Sequence, residues 1–211
     1  MILLTSCKQA EVPADGIEFL FNETQPVNVS EISSFPNRYL GNYISKDSNY
    51  LIISKKNVFY KSIYKMKISF SLFDSIKDSL KIVKNKIYLK KNQFAEYRKL
   101  KDSVEITHYS YDTIFSISNN QKAKKIHKTI VLNTKDSIYW KTKFLTLDKN
   151  NLKIMALYSN DDLRRIDSLS EVKSYKIDSI KNRIQLSRKE FKKMLGLKHF
   201  GFEQKFQKIK E

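Results

Sequence analysis

Cysteine occurs once in this chain of 211 residues, at Cys7, so no internal disulfide can form and no cysteine-based zinc site can assemble. Glycine is nearly as scarce. Gly16, Gly41, Gly196 and Gly201 are the only four, and their spacing forms no phosphate-cradling loop. The chain has no Gly-x-Ser-x-Gly elbow, which closes that route to a serine hydrolase. Histidine appears as His108, His127 and His199, each alone in sequence. His108 and His127 fall in separate predicted strands, where a lone histidine is ordinarily a packing or surface residue, so no metal and no cofactor is expected. No apolar run reaches the roughly 18 residues that a membrane-spanning helix needs. Carboxylates such as Glu96, Glu105, Asp112 and Glu203 are eligible for a glycosidase pair, but that chemistry depends on a separation in space that sequence does not fix. No catalytic motif emerges, and the expectation is a protein that is not an enzyme.

What is present is core material and positive charge. Hydrophobic residues make up 41% of the chain, with thirteen Phe and twelve Tyr, ample for a packed interior and contrary to disorder. The formal net charge is +18, from 40 basic against 22 acidic side chains. Only six of the basic residues are Arg, and Lys is a hydrated point charge without the planar fork suited to phosphate or guanine. A solvated lysine-rich surface is therefore expected, with a broad positive potential and weak affinity for anionic surfaces. The stretch Ile138 to Phe144 mixes aromatics with lysines as single-strand nucleic-acid platforms do. Trp140 and Phe144 nonetheless share one face of a strand and Lys141 and Lys143 the other, so core packing explains the pattern and no nucleic-acid partner is expected.

Alternation with a period of two dominates the middle of the chain. From Tyr64 to Leu72, Tyr64, Met66, Ile68, Phe70 and Leu72 are apolar and Lys65, Lys67, Ser69 and Ser71 polar, which predicts a strand with one wet face. Similar stretches are predicted at 51–60, 80–83, 86–89, 104–111, 114–117, 126–132, 138–147 and 152–158, then at 175–186 and 202–209. Lys84-Asn85 and Asp148 to Asn151 supply hairpin turns. Short connections and half-polar strands predict antiparallel pairing, as a meander forming a barrel, a sandwich or one curved sheet. Two short C-terminal helices are predicted. Ser159 to Asp162 caps one bearing Leu163, Ile166 and Leu169, and the capping box of Ser187 and Glu190 opens another bearing Phe191, Met194 and Leu195, stopped by Gly196. The fold class expected is mainly β, at the border of α+β.

Asp-Ser or Asp-Thr followed by an aliphatic residue occurs seven times, beginning at Asp74, Asp78, Asp102, Asp112, Asp136, Asp167 and Asp178. Turn chemistry accounts for such a pattern, because both side chains bond nearby backbone amides.

Leu4-Thr5-Ser6-Cys7 resembles the lipobox that ends a bacterial lipoprotein signal peptide. The resemblance implies that 1–6 is the remnant of that signal, that Cys7 is lipidated and that 7–34 is a tether, with a single β-rich domain over 35–211. It implies a membrane partner through the lipid anchor. Lys8 to Gly16 carries no acidic cluster of the kind that follows the cysteine in surface-exposed Bacteroidetes lipoproteins, so the expected address is a periplasm-facing outer membrane. The order of lipobox, Phe35-Pro36, Gly41-x-Tyr43, β meander and capped helix before a last strand is loosely similar to uncharacterised Bacteroidetes lipoproteins, and it brings no activity. The Asp-Ser motif also resembles the O-glycosylation acceptor of exported Bacteroidetes proteins, with Ser103 and Ser137 as candidates. The function expected is a non-enzymatic binding or accessory role. A structural component that docks another, unidentified protein is the alternative, and a hydrolase using an unrecognised carboxylate pair comes behind both.

Overall fold

A computed structural model of the protein describes residues 16–90 and 93–209. Of the described residues 52% are strand and 16% helical, so the fold is mainly β. The strands run in chain order as β1 (Glu18–Phe21), β2 (Glu31–Ile32), β3 (Gly41–Ser45), β4 (Tyr50–Ile53), β5 (Asn57–Ser69), β6 (Lys81–Val83), β7 (Lys86–Lys90) and β8 (Gln93–Lys99). They continue as β9 (Ser103–Ser116), β10 (Gln121–Ile126), β11 (Thr129–Asp136), β12 (Tyr139–Asp148), β13 (Asn151–Ala156), β14 (Tyr175–Lys176), β15 (Lys181–Ile184) and β16 (Phe202–Lys208). Helix α1 spans Phe70–Ile76, α2 spans Asn160–Leu169 and α3 spans Arg188–Leu195.

The chain divides into two compact units. One is Tyr60–Asp112; the other comprises the described residues of Gln9–Phe59 and Thr113–Glu211. Strands β5 and β9 contribute residues to both.

In the larger unit the hydrogen-bonded order is β14-β15-β1-β12-β13-β16-β3-β4, with β2-β10-β11 branching off at β12. The registered pairs are antiparallel except β1 with β15. Period-two geometry sorts the side chains of the three central strands. Val131, Phe144 and Met155 lie opposite one another on one face, where Phe191 and Met194 of α3 and Ile166 of α2 complete a core. Trp140 packs against the same cluster. Phe21, Phe144 and Phe191 are fully buried, and each such side chain contributes about 1.5–3 kcal/mol. The opposite face carries the cross-strand rows Ile130, Leu145, Ile154 and Leu132, Lys143, Ala156. Elsewhere in this unit Tyr39 and Tyr43 are buried, with the Tyr39 hydroxyl donating to the Lys128 carbonyl at 2.6 Å and that of Tyr43 to the Tyr39 carbonyl at 2.7 Å.

In the smaller unit β6, β7, β8 and β9 form an antiparallel ladder, continued by β5. Phe73 of α1 packs with Ile87 and Val104.

Both C-terminal helices form where expected, each opened by a complete capping box, Ser159 with Asp162 and Ser187 with Glu190. Helix α1 was not expected. The alternation from Tyr64 stops being a strand at Ser69, whose hydroxyl accepts from the Leu72 amide at 3.2 Å and caps a helix. Phe70 and Phe73, three apart, then share the small core. Tyr64 and Met66, expected to be buried, are 44% and 45% exposed. The stretch 51–60 is broken by a turn between β4 and β5, and 126–132 by a turn at His127, which has φ 52°. The two stretches 104–111 and 114–117 are one strand, β9.

Strand structure precedes Phe35. Phe19, Leu20 and Phe21 are a buried apolar run inside the larger unit, so the fold already includes β1. The stretch after it is held down as well: the buried Lys124 ammonium donates to the carbonyls of Thr24 and Pro26 at 2.9 and 3.1 Å. Asn133, fully buried, exchanges hydrogen bonds with the Gln25 backbone.

Candidate ligand-binding site

Strand β12 changes neighbour along one edge. From Lys143 to Asp148 it pairs with β13, whereas β1 meets it at Trp140 opposite Phe21. At Lys141 and Thr142 the registered partner is β11 alone. A cavity of about 490 Å³ opens beside this break, within the larger unit. That is the size of a small-molecule pocket, about 300–1,000 Å³.

Its wall is mostly apolar: Phe19, Ile114, Phe115, Leu132, Ile154 and Ala156. Backbone bonds fix the rim, since the Ile17 amide donates to the Tyr158 carbonyl at 2.6 Å and the Glu18 amide to the Ile180 carbonyl at 2.7 Å. The polar lining includes Glu18, Gln121, Thr134, Lys141, Thr142 and Lys143. Gln121 is engaged already, its Oε1 accepting from the Ser116 amide.

Lys141 is the electrostatic centre. Its Nζ lies 2.7 Å from Asp136 Oδ2 and 3.1 Å from Glu18 Oε2. Burial pushes its pKa down, but the two carboxylates outweigh burial and hold it above the ordinary lysine value. Asp136, bonded to Lys141, is held below the ordinary carboxylate value. The 3.1 Å contact is an ion pair, so the Lys141 ammonium compensates the charge of the buried Glu18 Oε2, which makes no further hydrogen bond. Thr142 Oγ1 is buried and unpartnered. A buried hydroxyl left in this condition costs about 1–3 kcal/mol, and such an atom marks a place where a ligand or water supplies the missing bond.

Lys141 was expected on an outward wet face with Lys143. This face lines the cavity instead, and Lys141 is half-buried there while Lys143 is exposed. Cys7 and the rest of the lipobox lie outside the described residues. Ser137 sits exposed at the β11–β12 turn with φ 56°. Ser103, the other glycosylation candidate, is half-buried and donates to Asp102 Oδ1 at 3.0 Å. Turn chemistry is visible in the repeated motif: Asp178 Oδ1 accepts from the amides of Ile180 and Lys181 at 2.9 and 2.8 Å.

Of the eligible carboxylates, Glu105 is paired with Arg98 at 2.8 Å and Glu203 with Lys153 and Lys205 at 3.1 and 2.9 Å. Glu96 and Asp112 belong to the smaller unit, as does Glu105. His108 stacks on Tyr64 in that unit, and His127 occupies a turn of the other. His199 and Glu203 border a second concavity of the larger unit. Among the described residues no group of three or more His, Cys, Asp or Glu is arranged to hold a metal. No protein-family model, curated protein or solved structure matches the chain.

Proposed function

We propose that this chain is a lipid-anchored protein of a bacterial cell envelope that binds a small ligand without chemically transforming it. The observation that carries the binding role is the cavity at the β12 break, concave and largely apolar, with a few polar groups in its lining. Thr134, half-buried in its wall, gives the direct test. Thr134→Trp fills the space and is expected to reduce binding of an apolar fluorescent probe by at least about tenfold, a change of about 1.4 kcal/mol. Unchanged binding would place the probe elsewhere and refute the assignment.

The address rests on Leu4 to Cys7. Acylation at Cys7 is expected to hold the protein in the membrane fraction, and Cys7→Ser, expressed behind an intact export signal, is expected to release it. A variant that fractionates like the parent contradicts the anchor. Exposed lysines such as Lys65 and Lys67 give the protein a second, weaker attraction to anionic surfaces. Cys7→Ser protein is expected to bind anionic vesicles at low salt and to leave them as salt rises, with little binding to neutral ones. Binding that survives high salt would defeat the electrostatic account.

A second reading, an envelope component that docks another protein, has its own support. In the smaller unit Tyr64, Met66, Leu72, Val83, Leu89 and Tyr111 are 44–54% exposed. That is a high density of large apolar groups facing water in one small unit, as docking surfaces have.

A further inference from the structure

We infer that the cavity selects an uncharged ligand with an apolar body and a hydrogen-bond-donating head, and that it rejects anions. This inference rests on the ligand-binding reading above. The net charge of +18 would by itself suggest an anionic ligand. The local arrangement says the opposite. Lys141 is already held between Asp136 at 2.7 Å and Glu18 at 3.1 Å, so its charge is engaged by two carboxylates and is not offered to an anionic ligand. Lys143, the other lining cation, is exposed, where water and salt screen it.

Two buried atoms of the lining have a hydrogen bond still to make. Glu18 Oε2, as part of a carboxylate, is an acceptor only and is completed by a donor. Thr142 Oγ1 can donate or accept; the residue is 8% exposed and the hydroxyl has no partner. A ligand hydroxyl or N–H satisfies Glu18 while its carbon skeleton covers Phe19, Phe115, Leu132 and Ile154. A carboxylate, sulfonate or phosphate head in the same place meets Glu18 with like charge and gives up its own hydration.

The test compares two dyes of nearly the same shape on the full chain. N-Phenyl-1-naphthylamine is uncharged at neutral pH and carries one N–H; 1-anilinonaphthalene-8-sulfonate adds a sulfonate. The neutral dye is expected to bind at least about tenfold more tightly. Glu18→Gln is expected to narrow that ratio by raising affinity for the sulfonate, a change that loss of structure alone would not produce. Thr142→Val, close in shape, is expected to weaken the neutral dye by a fewfold. In Thr134→Trp the preference is expected to vanish together with binding. Equal or tighter binding of the sulfonate, abolished by Thr134→Trp, overturns the inference and leaves the cavity as a binding site. Failure of both dyes to bind, or binding indifferent to Thr134→Trp, overturns the binding reading itself and the inference with it.

Discussion

Replacing Asp162 with Ala is expected to destabilise the larger unit by about 3 kcal/mol, although the residue is distant in sequence from every cavity strand except β13. Asp162 is 2% exposed, and its carboxylate serves three backbone amides at once. Oδ2 accepts from Tyr158 and Ser159 at 3.2 and 3.1 Å, closing the N-terminus of α2, and Oδ1 accepts from Gly201 at 2.8 Å, just before β16. The side chain thus ties the end of β13, the start of α2 and the start of β16 together. Ala removes three charge-assisted hydrogen bonds and leaves three donors, on half-buried residues, without their acceptor. Asp161, its exposed neighbour, has one contact of this kind in the ion pair with Arg164, and Asp161→Ala is expected to stay within about 0.5 kcal/mol of the parent. Urea unfolding separates the two: the midpoint falls for Asp162→Ala with the slope unchanged, and scarcely moves for Asp161→Ala.

Gly201→Ala is expected to cost about 2–4 kcal/mol at the other end of the same junction. Gly201 has φ +70°, which side chains adopt only with strain, and a Cβ built there would lie 2.7 Å from the Ala156 carbonyl oxygen and 2.9 Å from Met155 Cγ. The methionine can move but the carbonyl is part of the β13 backbone, so the strain falls on the Ala156–Phe202 register. Because Gly201 and Asp162 share a hydrogen bond, the double variant is expected to lose less than the sum of the single losses. Full additivity would show that the two residues act separately.

The sequence made some of this arrangement legible and hid the rest for physical reasons. Ser187 and Glu190 announce α3 because a capping box is local, three residues wide and chemically specific. Lys84 and Lys149, both with positive φ, turn their hairpins where the Asn-rich stretches foretold. Helix α1 was hidden because Ile68, Phe70 and Leu72 fit a period of two while Phe70 and Phe73 fit a helix, and only the Ser69 cap decides. Strand β10 was missed because it buries Lys124 next to Ala123, which breaks the alternation, and the reason lies at Thr24 and Pro26, about a hundred residues away. The cavity is the extreme case. It depends on the exchange of β1 for β13 along β12 and on the parallel pairing of β1 with β15, both set by contacts between distant segments. Lys141 therefore read as a surface lysine.

Methyl NMR tests the binding site most directly. With N-phenyl-1-naphthylamine added to saturation, the largest methyl shift changes are expected at Leu132, Ile154, Leu157 and Ile180, which line the cavity. Leu72, Val83 and Leu89, exposed in the smaller unit, are expected to stay in place. Shifts concentrated on those three residues, with the cavity methyls unmoved, would contradict the account.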